Sequence, residues 1–401
     1  MLEALRALPP DDPRYLEAER AAAHLTKSAK KKRRLARKRA ARAADQALLR
    51  EPPSSAASPA PRLHNQRRCF ACQGAYREVD ADTPQLCPAC SAHNRAHLAE
   101  EVDLSGRRVL ITGGRVRIGH AAALRLLRAG ARVLVTTRFP RDAARRFADA
   151  PDAADWGERL ELHGLDLRDL PALLRFTDEL RARGEPLEVL INNAAQTVRM
   201  PEAERAELVA GERQPLGLEL AGWVRGEAEP PTSPALLPST TSGLSEANAW
   251  VQRLAEVSPL EVLEAQLINA TAPALLLAGV EPLLLRSPFP DRHVVNVTSA
   301  EGWFARARRP ATHPHTNMAK AALNMLTLTA APDYAARGIY LNAVDPGWVS
   351  PLDAEGKTRA GLGPPLRLED AAARLLDPIA RGARGAPVSG LLLKDYRSVD
   401  W

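Results

Sequence analysis

The sequence has little cysteine, few aromatic residues and no long apolar run, and each shortage narrows the class of protein. All four cysteines of the 401 residues lie between positions 69 and 90. No disulfide can therefore join distant parts of the chain, which suits a reducing compartment. No stretch approaches about 18 uninterrupted apolar residues, the length that a membrane-spanning helix needs. The first residues, MLEALRALPPDDP, have acids and prolines where a secretory signal has a basic and then an apolar run. We therefore expect a cytoplasmic protein.

Acidic residues are missing from residues 27–42, which read KSAKKKRRLARKRAAR and contain ten lysines and arginines. The whole chain has a net charge of +7, and without these ten cations the remainder has −3, so the basicity belongs to one segment. Residues 14–50 contain neither glycine nor proline, which predicts an exposed basic helix. Such a helix could bind nucleic acid or an acidic partner, or it could simply be a solvated extension.

The cysteines form two Cys-x-x-Cys pairs, CFAC and CPAC, separated by fourteen residues. This spacing is typical of zinc ribbons, in which four thiolates surround one ion tetrahedrally. Four sulfur ligands leave no open coordination position, so the predicted zinc is structural; redox-active or unligated thiols are the alternative. The predicted ligands are Cys69, Cys72, Cys87 and Cys90.

From residue 102 onwards, short apolar runs alternate with longer amphipathic stretches. The predicted strands read RRVLITG, ARVLVTTR, RLELHGLDL, LEVLINNAA, RHVVNVTS and IYLNAVDPG. Helices are expected at 118–131, 169–183, 259–285, 316–336 and 369–381. This alternation predicts an α/β fold, a Rossmann-like doubly wound parallel sheet that binds ligands at the carboxyl ends of its strands. Since 45% of residues are hydrophobic but only 4% aromatic, the core should be aliphatic.

Composition divides the chain into four parts. They are a basic helical extension at 1–50, a Pro/Ser/Ala linker at 51–66, the zinc ribbon at 67–100 and the α/β domain at 101–401. An insertion at about 197–258, rich in Pro, Gly, Ser and Glu, interrupts the last part. Because the insertion follows the carboxyl end of a strand, it is placed to cover a substrate pocket. Trp223 indicates that some of it packs down.

Short motifs follow the predicted strands in a fixed order: ITGGRVRIG after the first, LDL after the third, INNAA after the fourth, NVTS after the fifth and DPGWV after the sixth. This ordered set resembles the short-chain dehydrogenase/reductase family over roughly residues 104–400. The zinc ribbon and the basic helix lie outside the resemblance. The family implies a nicotinamide cofactor, hydride transfer to or from a small-molecule substrate, and a homo-oligomer.

The resemblance also implies a set of cofactor-binding residues. Gly113 and Gly119 match the outer glycines of the family's TGxxxGxG turn, whereas Arg117 replaces the middle one. Where the family has a threonine after the last motif, this chain has Pro351, with Ser350 as a substitute. The other matching positions are Asp166, Leu167, Asn193, Ala194, Lys320, Pro346, Gly347 and Val349, and Arg115 and Ile118 of the glycine-containing turn are further cofactor-binding candidates.

The end of the second strand bears on which cofactor is used. An NAD enzyme usually has an acid here for the ribose hydroxyls, but residues 136–138 read TTR. A carboxylate would repel a 2′-phosphate, whereas Thr137 and Arg138, with Arg115 or Arg117, can bind one. We therefore predict NADP(H) rather than NAD(H). The alternative is that these arginines are ordinary surface charges.

The family's catalytic set is only partly present. Asn269 in LINATAP, Ser299 in NVTSAEG and Lys320 in AKAALNMLT match the family's asparagine, serine and lysine. The catalytic tyrosine is replaced by Thr316, and the downstream tyrosines fall in other predicted elements. Because a threonine hydroxyl has no accessible ionisation, another group must move the proton if the site is active.

Two histidines, His313 and His315, lie beside Thr316, and histidine ordinarily titrates near neutral pH. Three hypotheses follow. In the first, a histidine transfers the proton in an NADP(H)-dependent reaction of a carbonyl, imine or alcohol. In the second, Thr316 and Ser299 only orient a substrate, which water or the substrate itself protonates. In the third, the chain binds the cofactor without turnover, as an interaction or regulatory protein that docks through its zinc ribbon and basic helix. For each histidine, a solvent-facing loop position is the plain alternative. Retention of Asn269, Ser299 and Lys320 together favours chemistry.

Overall fold

The computed structural model describes residues 7–52, 61–196, 200–226, 250–306, 310–349 and 362–401. The chain divides into two units. The amino-terminal unit is Met1–Ala92 with Gly361–Pro365, and the α/β unit is His93–Ala360 with Leu366–Trp401. The finer boundaries given above for the extension, linker, ribbon and α/β domain stay predictions.

The amino-terminal unit contains the predicted basic helix, α1 (Pro13–Arg50), and the hairpin of β1 (Arg62–Arg68) and β2 (Ala75–Glu78). The helix starts directly after Asp12, whose carboxylate caps it by accepting a hydrogen bond from the Arg14 N–H at 2.8 Å. Helix α2 (Pro88–Leu98) begins inside the second cysteine pair.

The α/β unit contains a sheet of nine described strands, all parallel except the last pair. The strands are β3 (Arg108–Thr112), β4 (Arg132–Thr137), β5 (Leu160–Gly164), β6 (Val189–Asn192), β7 (Val224–Arg225), β8 (Arg292–Val297), β9 (Ile339–Asp345), β10 (Leu391–Lys394) and β11 (Arg397–Val399). Their order is β11-β10-β9-β8-β6-β3-β4-β5-β7, in which only β10 and β11 are antiparallel. The order reverses between β3 and β6, which is where a doubly wound sheet binds its ligands.

Helices cover both faces of this sheet. They are α3 (Arg117–Arg128), α4 (Pro140–Ala148), α5 (Ala153–Trp156), α6 (Leu170–Arg183), α7 (Glu202–Glu212), α8 (Leu218–Ala221), α9 (Pro259–Gln266), α10 (Ala272–Leu285), α11 (Pro314–Ala336) and α12 (Leu368–Ala383). One core lies under α3, α4 and α12, and the other lies under α6, α10 and α11. Both are mainly leucine, valine, isoleucine and alanine, and the predicted fold class is confirmed.

The predicted helix at 259–285 is continuous but irregular. A π-helical turn at Leu267–Thr271 joins α9 to α10. An 18-residue window of the span Pro259–Leu285 has a mean hydropathy of 1.5, and the span is long and apolar enough, by length and composition alone, to cross a membrane. In this fold α10 packs against α6 and supplies one of the two cores, which explains its apolar composition.

The insertion is more regular than its composition predicts. Its described first part forms α7, α8 and β7, and β7 pairs with β5 at the sheet edge. Trp223 is 8% exposed and packs 6.2 Å from the Trp156 ring, so the expected packing is confirmed. This part packs against α4 and β5. Residues 227–249, in the middle of the predicted cover, lie outside the described residues.

Candidate active site

The turn between β3 and α3 is built so closely that only small residues fit. Gly113 has φ 69°, and a Cβ there would lie 2.9 Å from the Ala194 Cα atom. A Cβ on Gly119 would lie 2.3 Å from the Gly113 carbonyl oxygen. Arg117, at the family's middle glycine position, has φ 54°, the left-handed region that glycine favours. The arginine therefore keeps the backbone of the glycine that it replaces, and its side chain is exposed.

The segment after β6 is held against this turn. The Asn193 side-chain amide donates to the carbonyl oxygens of Thr112 and Gly113 at 2.9 and 3.2 Å. The Thr112 hydroxyl in turn accepts the backbone N–H groups of Asn193 and Ala194 at 3.0 and 2.9 Å. The structure thus brings Gly113, Asn193 and Ala194 together at the point where the strand order reverses.

The end of β4 brings together the residues predicted to bind a 2′-phosphate. Thr137 is buried, and its hydroxyl accepts the Phe139 N–H at 3.1 Å. Arg115 is buried over the Phe139 ring and forms an ion pair with Asp142 at 2.6 Å. Arg138 lies partly buried with its guanidinium 5.5 Å from the same ring.

Arg138 differs from Arg115 in having no hydrogen-bonded or ion-paired carboxylate anywhere in the described ranges of the chain. Burial lowers the pKa of Arg138; the charge of Asp166 opposes this, and the charges of Arg168, Arg115 and Arg205 add to it. An anion placed beside Arg138 would relieve this crowding of positive charge.

Asp166, one of the predicted cofactor-binding residues, already has a partner within the chain. Its carboxylate accepts from the guanidinium of Arg168 at 2.6 to 3.1 Å, and Arg168 also reaches Glu264 at 3.2 Å. Burial alone would raise the pKa of Asp166, but the hydrogen bonds and charge of Arg168 hold it below its ordinary value. Leu167 beside it is 7% exposed and belongs to the α6 core, and Ile118 packs partly buried against the α3 core.

Lys320 lies one helical turn after Thr316 on α11 and points to the end of β8. Its ammonium donates to the Val297 carbonyl oxygen at 2.6 Å, two residues before Ser299. Only 5% of the residue is exposed. Burial lowers the pKa of Lys320 to about 8, although the charge of Glu301 opposes the shift.

Ser299 begins the 3₁₀ turn Ala300–Gly302, which lies directly against α11. A Cβ on Gly302 would be 2.6 Å from the Lys320 carbonyl carbon, so this contact needs glycine. The Gly302 carbonyl accepts from the Asn324 side chain at 3.0 Å, which fixes the turn to the helix. The turn that follows Ser299 is therefore packed against α11 at Lys320, and the catalytic roles of the two residues stay predictions.

Asn269 lies in the π-helical turn and is fully buried. Its amide oxygen accepts the Gln196 N–H at 2.8 Å, and its amide nitrogen donates to the Gln196 carbonyl at 2.9 Å. The Gln196 side chain continues to Glu264 at 2.9 Å. Asn269 thus holds the segment after β6, and both of its amide atoms are used in doing so.

Thr316 and His315 are in the first turn of α11 and are 2% and 1% exposed. The hydroxyl of Thr316 is buried and finds no hydrogen-bond partner within the part of the chain that the structure describes. A buried hydroxyl in this state costs stability unless a ligand or water completes it. At the position where the family has its tyrosine, this chain therefore has a buried hydroxyl that can form a hydrogen bond with a ligand or a water molecule.

His313 is also buried, at 5% exposure, so the solvent-facing alternative is wrong for both histidines. It adopts φ 47° as the residue before α11, and its Nδ1 atom lies 2.9 Å from the Trp250 carbonyl oxygen. The imidazole ring of His313 packs edge-to-face against the Trp250 ring, with 4.6 Å between the ring centroids. The backbone N–H of His313 donates to the Gln252 carbonyl oxygen at 2.8 Å. His313 is thus tied to the end of the insertion, which explains its burial.

The loop after β9 contains Pro346, Gly347 and Val349. Gly347 has φ 83°, and its N–H donates to the Asp345 carboxylate at 2.9 Å. Asp345 also pairs with Lys394 at 2.8 Å. Ser350, the predicted substitute for the family's threonine, and Pro351 at the threonine position lie outside the described residues.

Sequence reasoning missed the residues that act on others. Neither Arg168, which occupies Asp166, nor Gln196, which holds Asn269, belongs to a motif. Trp250 and Gln252 were missed for the same reason. Arg168 and Gln196 left one signal, since they directly follow the LDL and INNAA motifs.

In the amino-terminal unit, the four cysteine sulfurs lie within 4.8 Å of one another, with Cys72 Sγ 3.8 Å from Cys87 Sγ. A tetrahedron with Zn–S bonds of about 2.3 Å has sulfurs about 3.8 Å apart. The Gly74 N–H donates to Cys72 Sγ at 3.4 Å and the Cys87 N–H to Cys69 Sγ at 3.2 Å. Such N–H groups stabilise thiolates, so the residues present fit a zinc ion.

Comparison with known families gives two matches within the α/β unit. The family model described as short chain dehydrogenase matches residues 107–211. The model described as enoyl-(acyl carrier protein) reductase matches residues 242–364. Together the two models cover more than half of the chain and leave residues 212–241, within the insertion, unmatched.

Relatives extend over most of the chain. An uncharacterized protein of Acanthamoeba polyphaga mimivirus is 29% identical over 345 residues, 78% of this chain and 71% of its own length. A fatty acyl-CoA reductase of Mycobacterium tuberculosis is 24% identical over 274 residues, 68% of this chain and 73% of its own. The crystal structure of NADPH-bound carbonyl reductase from chicken fatty liver superposes with a TM-score of 0.52 at 20% identity. It covers 74% of this chain and 100% of that one, a likeness of fold.

Proposed function

We propose that this chain, which belongs to the short-chain dehydrogenase/reductase family of oxidoreductases, uses NADP(H) to transfer hydride to or from a small molecule. The substrate group is a carbonyl, an imine or an alcohol. The observation that carries the choice of cofactor is Arg138, a partly buried cation with no paired carboxylate among the described residues. Bound NADPH supplies the hydride; the protein supplies its binding, orientation and proton chemistry.

The cofactor-binding proposal rests on charge. Arg138, Arg115 and Thr137 meet at the end of β4 with no acid in TTR. Asp142 neutralises Arg115, which leaves Arg138 as the group best placed to bind a 2′-phosphate. The close turn at Gly113 and Gly119 lets the backbone approach a pyrophosphate at the start of α3.

The catalytic proposal divides four tasks among five residues. Lys320 holds a positive charge at the end of β8 and orients the ribose. Ser299 and the open hydroxyl of Thr316 position the substrate oxygen or nitrogen. His315, buried beside Thr316, moves the proton, because an imidazole exchanges protons near neutral pH and a threonine hydroxyl does not. Asn269 keeps the segment after β6 in place.

The direct test is binding of NADPH and NADH by titration calorimetry, followed by NADPH oxidation with a panel of carbonyl and imine compounds. We expect NADPH to bind at least about tenfold more tightly than NADH, and turnover with some members of the panel. Failure to bind either nucleotide would refute the proposal. Binding of NADPH without turnover on any compound would favour the alternative of a catalytically weak interaction or regulatory protein.

For the amino-terminal unit we propose one structural zinc ion held by Cys69, Cys72, Cys87 and Cys90. The compact sulfur cluster and the N–H groups that donate to it support this proposal. The zinc would fix the β1–β2 hairpin to the start of α2, a contact that so small a unit cannot secure by an apolar core alone.

A homo-oligomer and a cytoplasmic location complete the proposal. The exposed side of α11 presents Met318, Met325 and Leu328, which are 51%, 56% and 39% exposed. These residues lie on one face of the helix, and a second subunit there would cover them. The clustering of all four cysteines supports a reducing compartment.

A further inference from the structure

The charges of α1 are arranged for a large anionic partner. All ten lysines and arginines of residues 27–42 are exposed, and no carboxylate of the described chain forms an ion pair with any of them. At about 1.5 Å per residue, this segment is a rod of about 24 Å. The side chains point to most sides of the rod, since successive residues turn by about 100°. Such a density of unpaired positive charge fits a polyanion.

The rod is fixed at its carboxyl end. Asp45 accepts hydrogen bonds from the backbone N–H groups of His64 and Asn65 at 2.6 and 3.0 Å, and from the Asn65 side chain at 2.7 Å. Helix α1 packs against β1, and Leu49 of α1 and Leu63 of β1 are 3% and 2% exposed. The basic segment is thus presented from a folded unit with its side chains displayed to solvent.

A polar recess continues the basic surface where α1 meets β1. It has a volume of about 240 Å³ and is lined by Arg42, Asp45, Gln46, Asn65 and Arg67. The Asp45 oxygens are already engaged by the N–H groups of β1, so the two arginines give the recess its binding character. Arg42 is also the last of the ten cations, and the recess is therefore contiguous with the rod. A group of phosphate size fits this volume.

Two observations favour nucleic acid over other polyanions. A membrane-surface helix needs an apolar face, but in residues 27–42 the only large apolar residue is Leu35, 43% exposed. Between Tyr15 and Phe70 there is no aromatic residue, so the surface lacks the stacking groups that bind single strands. An α-helix of this kind fits the major groove of a B-form duplex, with phosphates on both sides.

We propose that residues 27–42 together with the recess at Arg42 and Arg67 form a binding site for the phosphate backbone of duplex DNA, without preference for sequence. The function is separate from the oxidoreductase chemistry of the α/β unit. Contacts to phosphates predict binding that weakens steeply with salt, by a slope of about −0.9 in log K against log salt for each phosphate neutralised.

The test measures fluorescence anisotropy of a labelled 20-bp DNA duplex of arbitrary sequence with the full chain, over a salt series. The first variant replaces Lys30, Lys31, Lys32, Arg33 and Arg34 with Gln, which keeps helix propensity. We expect its affinity at low salt to fall by about 100-fold or more and its salt slope to flatten by about four. Arg42→Gln combined with Arg67→Gln should give a smaller loss in the same direction.

The matched control removes five exposed cations from the α/β unit and should leave binding within about twofold of the unaltered chain. It replaces Arg132, Arg175, Arg181, Arg213 and Arg225 with Gln. Equal losses in the two five-fold variants would overturn the proposal, because the binding would then follow net charge alone. Tighter binding of single-stranded DNA, polyglutamate or anionic vesicles than of the duplex would overturn it in favour of those partners. Circular dichroism of each variant checks that α1 stays helical.

Discussion

The ammonium of Lys320 donates a hydrogen bond to the carbonyl oxygen of Val297 at 2.6 Å, in a site where the lysine is 5% exposed. Burial lowers the pKa of Lys320 from its ordinary 10.5 to about 8. The folded protein therefore holds this proton less tightly than the unfolded chain. Burying the charged lysine in this site costs free energy, and the negative charge of a bound nucleotide would offset that cost.

This depressed pKa predicts a pH-dependent difference between the wild type and Lys320→Met. Above pH 10.5 the lysine is neutral in both the folded and the unfolded state, and its contribution to stability is fully present. This contribution is lost as the pH falls to about 8, because the unfolded chain gains a proton that the folded protein does not yet bind. Relative to the variant, the wild type should lose on the order of 3 kcal/mol over that interval. Urea unfolding at a series of pH values measures the difference.

The control for this experiment is Lys394→Met. Burial would lower the pKa of Lys394, but the charges of Asp345 and Asp395 outweigh it and raise the pKa. Its contribution should therefore be present below pH 10.5 and fade at higher pH, the opposite sign. If the difference in unfolding free energy between the wild type and Lys320→Met did not change with pH, the pKa of Lys320 would not be lowered in the folded protein.

Gly302→Ala should disturb the contact between the turn after Ser299 and the backbone of α11 at Lys320. The added methyl would lie 2.6 Å from the carbonyl carbon of Lys320, a backbone atom that cannot give way cheaply. We expect a loss of about 1–3 kcal/mol in unfolding free energy, and a lower kcat because Ser299 shifts relative to Lys320. Gly217→Ala is the matched control, since nothing lies within 4 Å of its Cβ position. Equal stability of the two variants would contradict the close contact.

Arg138→Gln should weaken NADPH binding by about tenfold or more and leave NADH binding nearly unchanged, because only NADPH has a 2′-phosphate. The ratio of the two dissociation constants, measured by calorimetry, isolates this contact from general damage. Arg213→Gln on the exposed side of the insertion serves as the control. Parallel losses for both nucleotides in Arg138→Gln would show that the arginine acts on folding or on another part of the cofactor.

His315→Asn and Thr316→Val separate proton transfer from positioning. If His315 moves the proton, His315→Asn should lower kcat by roughly 10²–10⁴-fold with NADPH affinity unchanged. Thr316→Val should lower activity while unfolding free energy stays the same or rises, because it removes a buried hydroxyl that has no partner in the described chain. Activity retained by His315→Asn would assign the proton to water or to the substrate. His24→Asn, on exposed α1, is the control.

Metal analysis should find about one zinc per chain, and Cys69→Ser should release it, because each Cys₄ site needs all four sulfurs. The loss should lower the unfolding temperature of the amino-terminal unit while NADPH binding by the α/β unit persists. Protein purified without chelators that contains no zinc would refute the site. Ser91→Ala, beside the second cysteine pair but without a sulfur, should keep the metal.

The elements that repeat a strong period were predictable from the sequence. β3, β4 and α3 have apolar patterns that only one arrangement can bury, and they were placed within a few residues. Motif order also predicted Ser299 and Lys320 as parts of one site, and the turn that follows Ser299 packs against α11 at Lys320. What the pattern could not supply are particular side-chain partners. Arg168 lies only two residues from Asp166, but no period shows that it turns back to pair with it. His313 packs against Trp250, which is 63 residues away in a segment with no period, so this contact is fixed by packing alone.

The short strand β7 gives the insertion a task that is independent of any substrate. It pairs with β5, where the Leu162 N–H donates to the Trp223 carbonyl at 2.8 Å, and Trp223 packs beside Gly157. Without it, β5 would present an open row of backbone donors and acceptors to other chains. Shortening the insertion to the length of a simple loop would therefore affect solubility before it affected specificity. A variant that trims this region should keep residues 200–226.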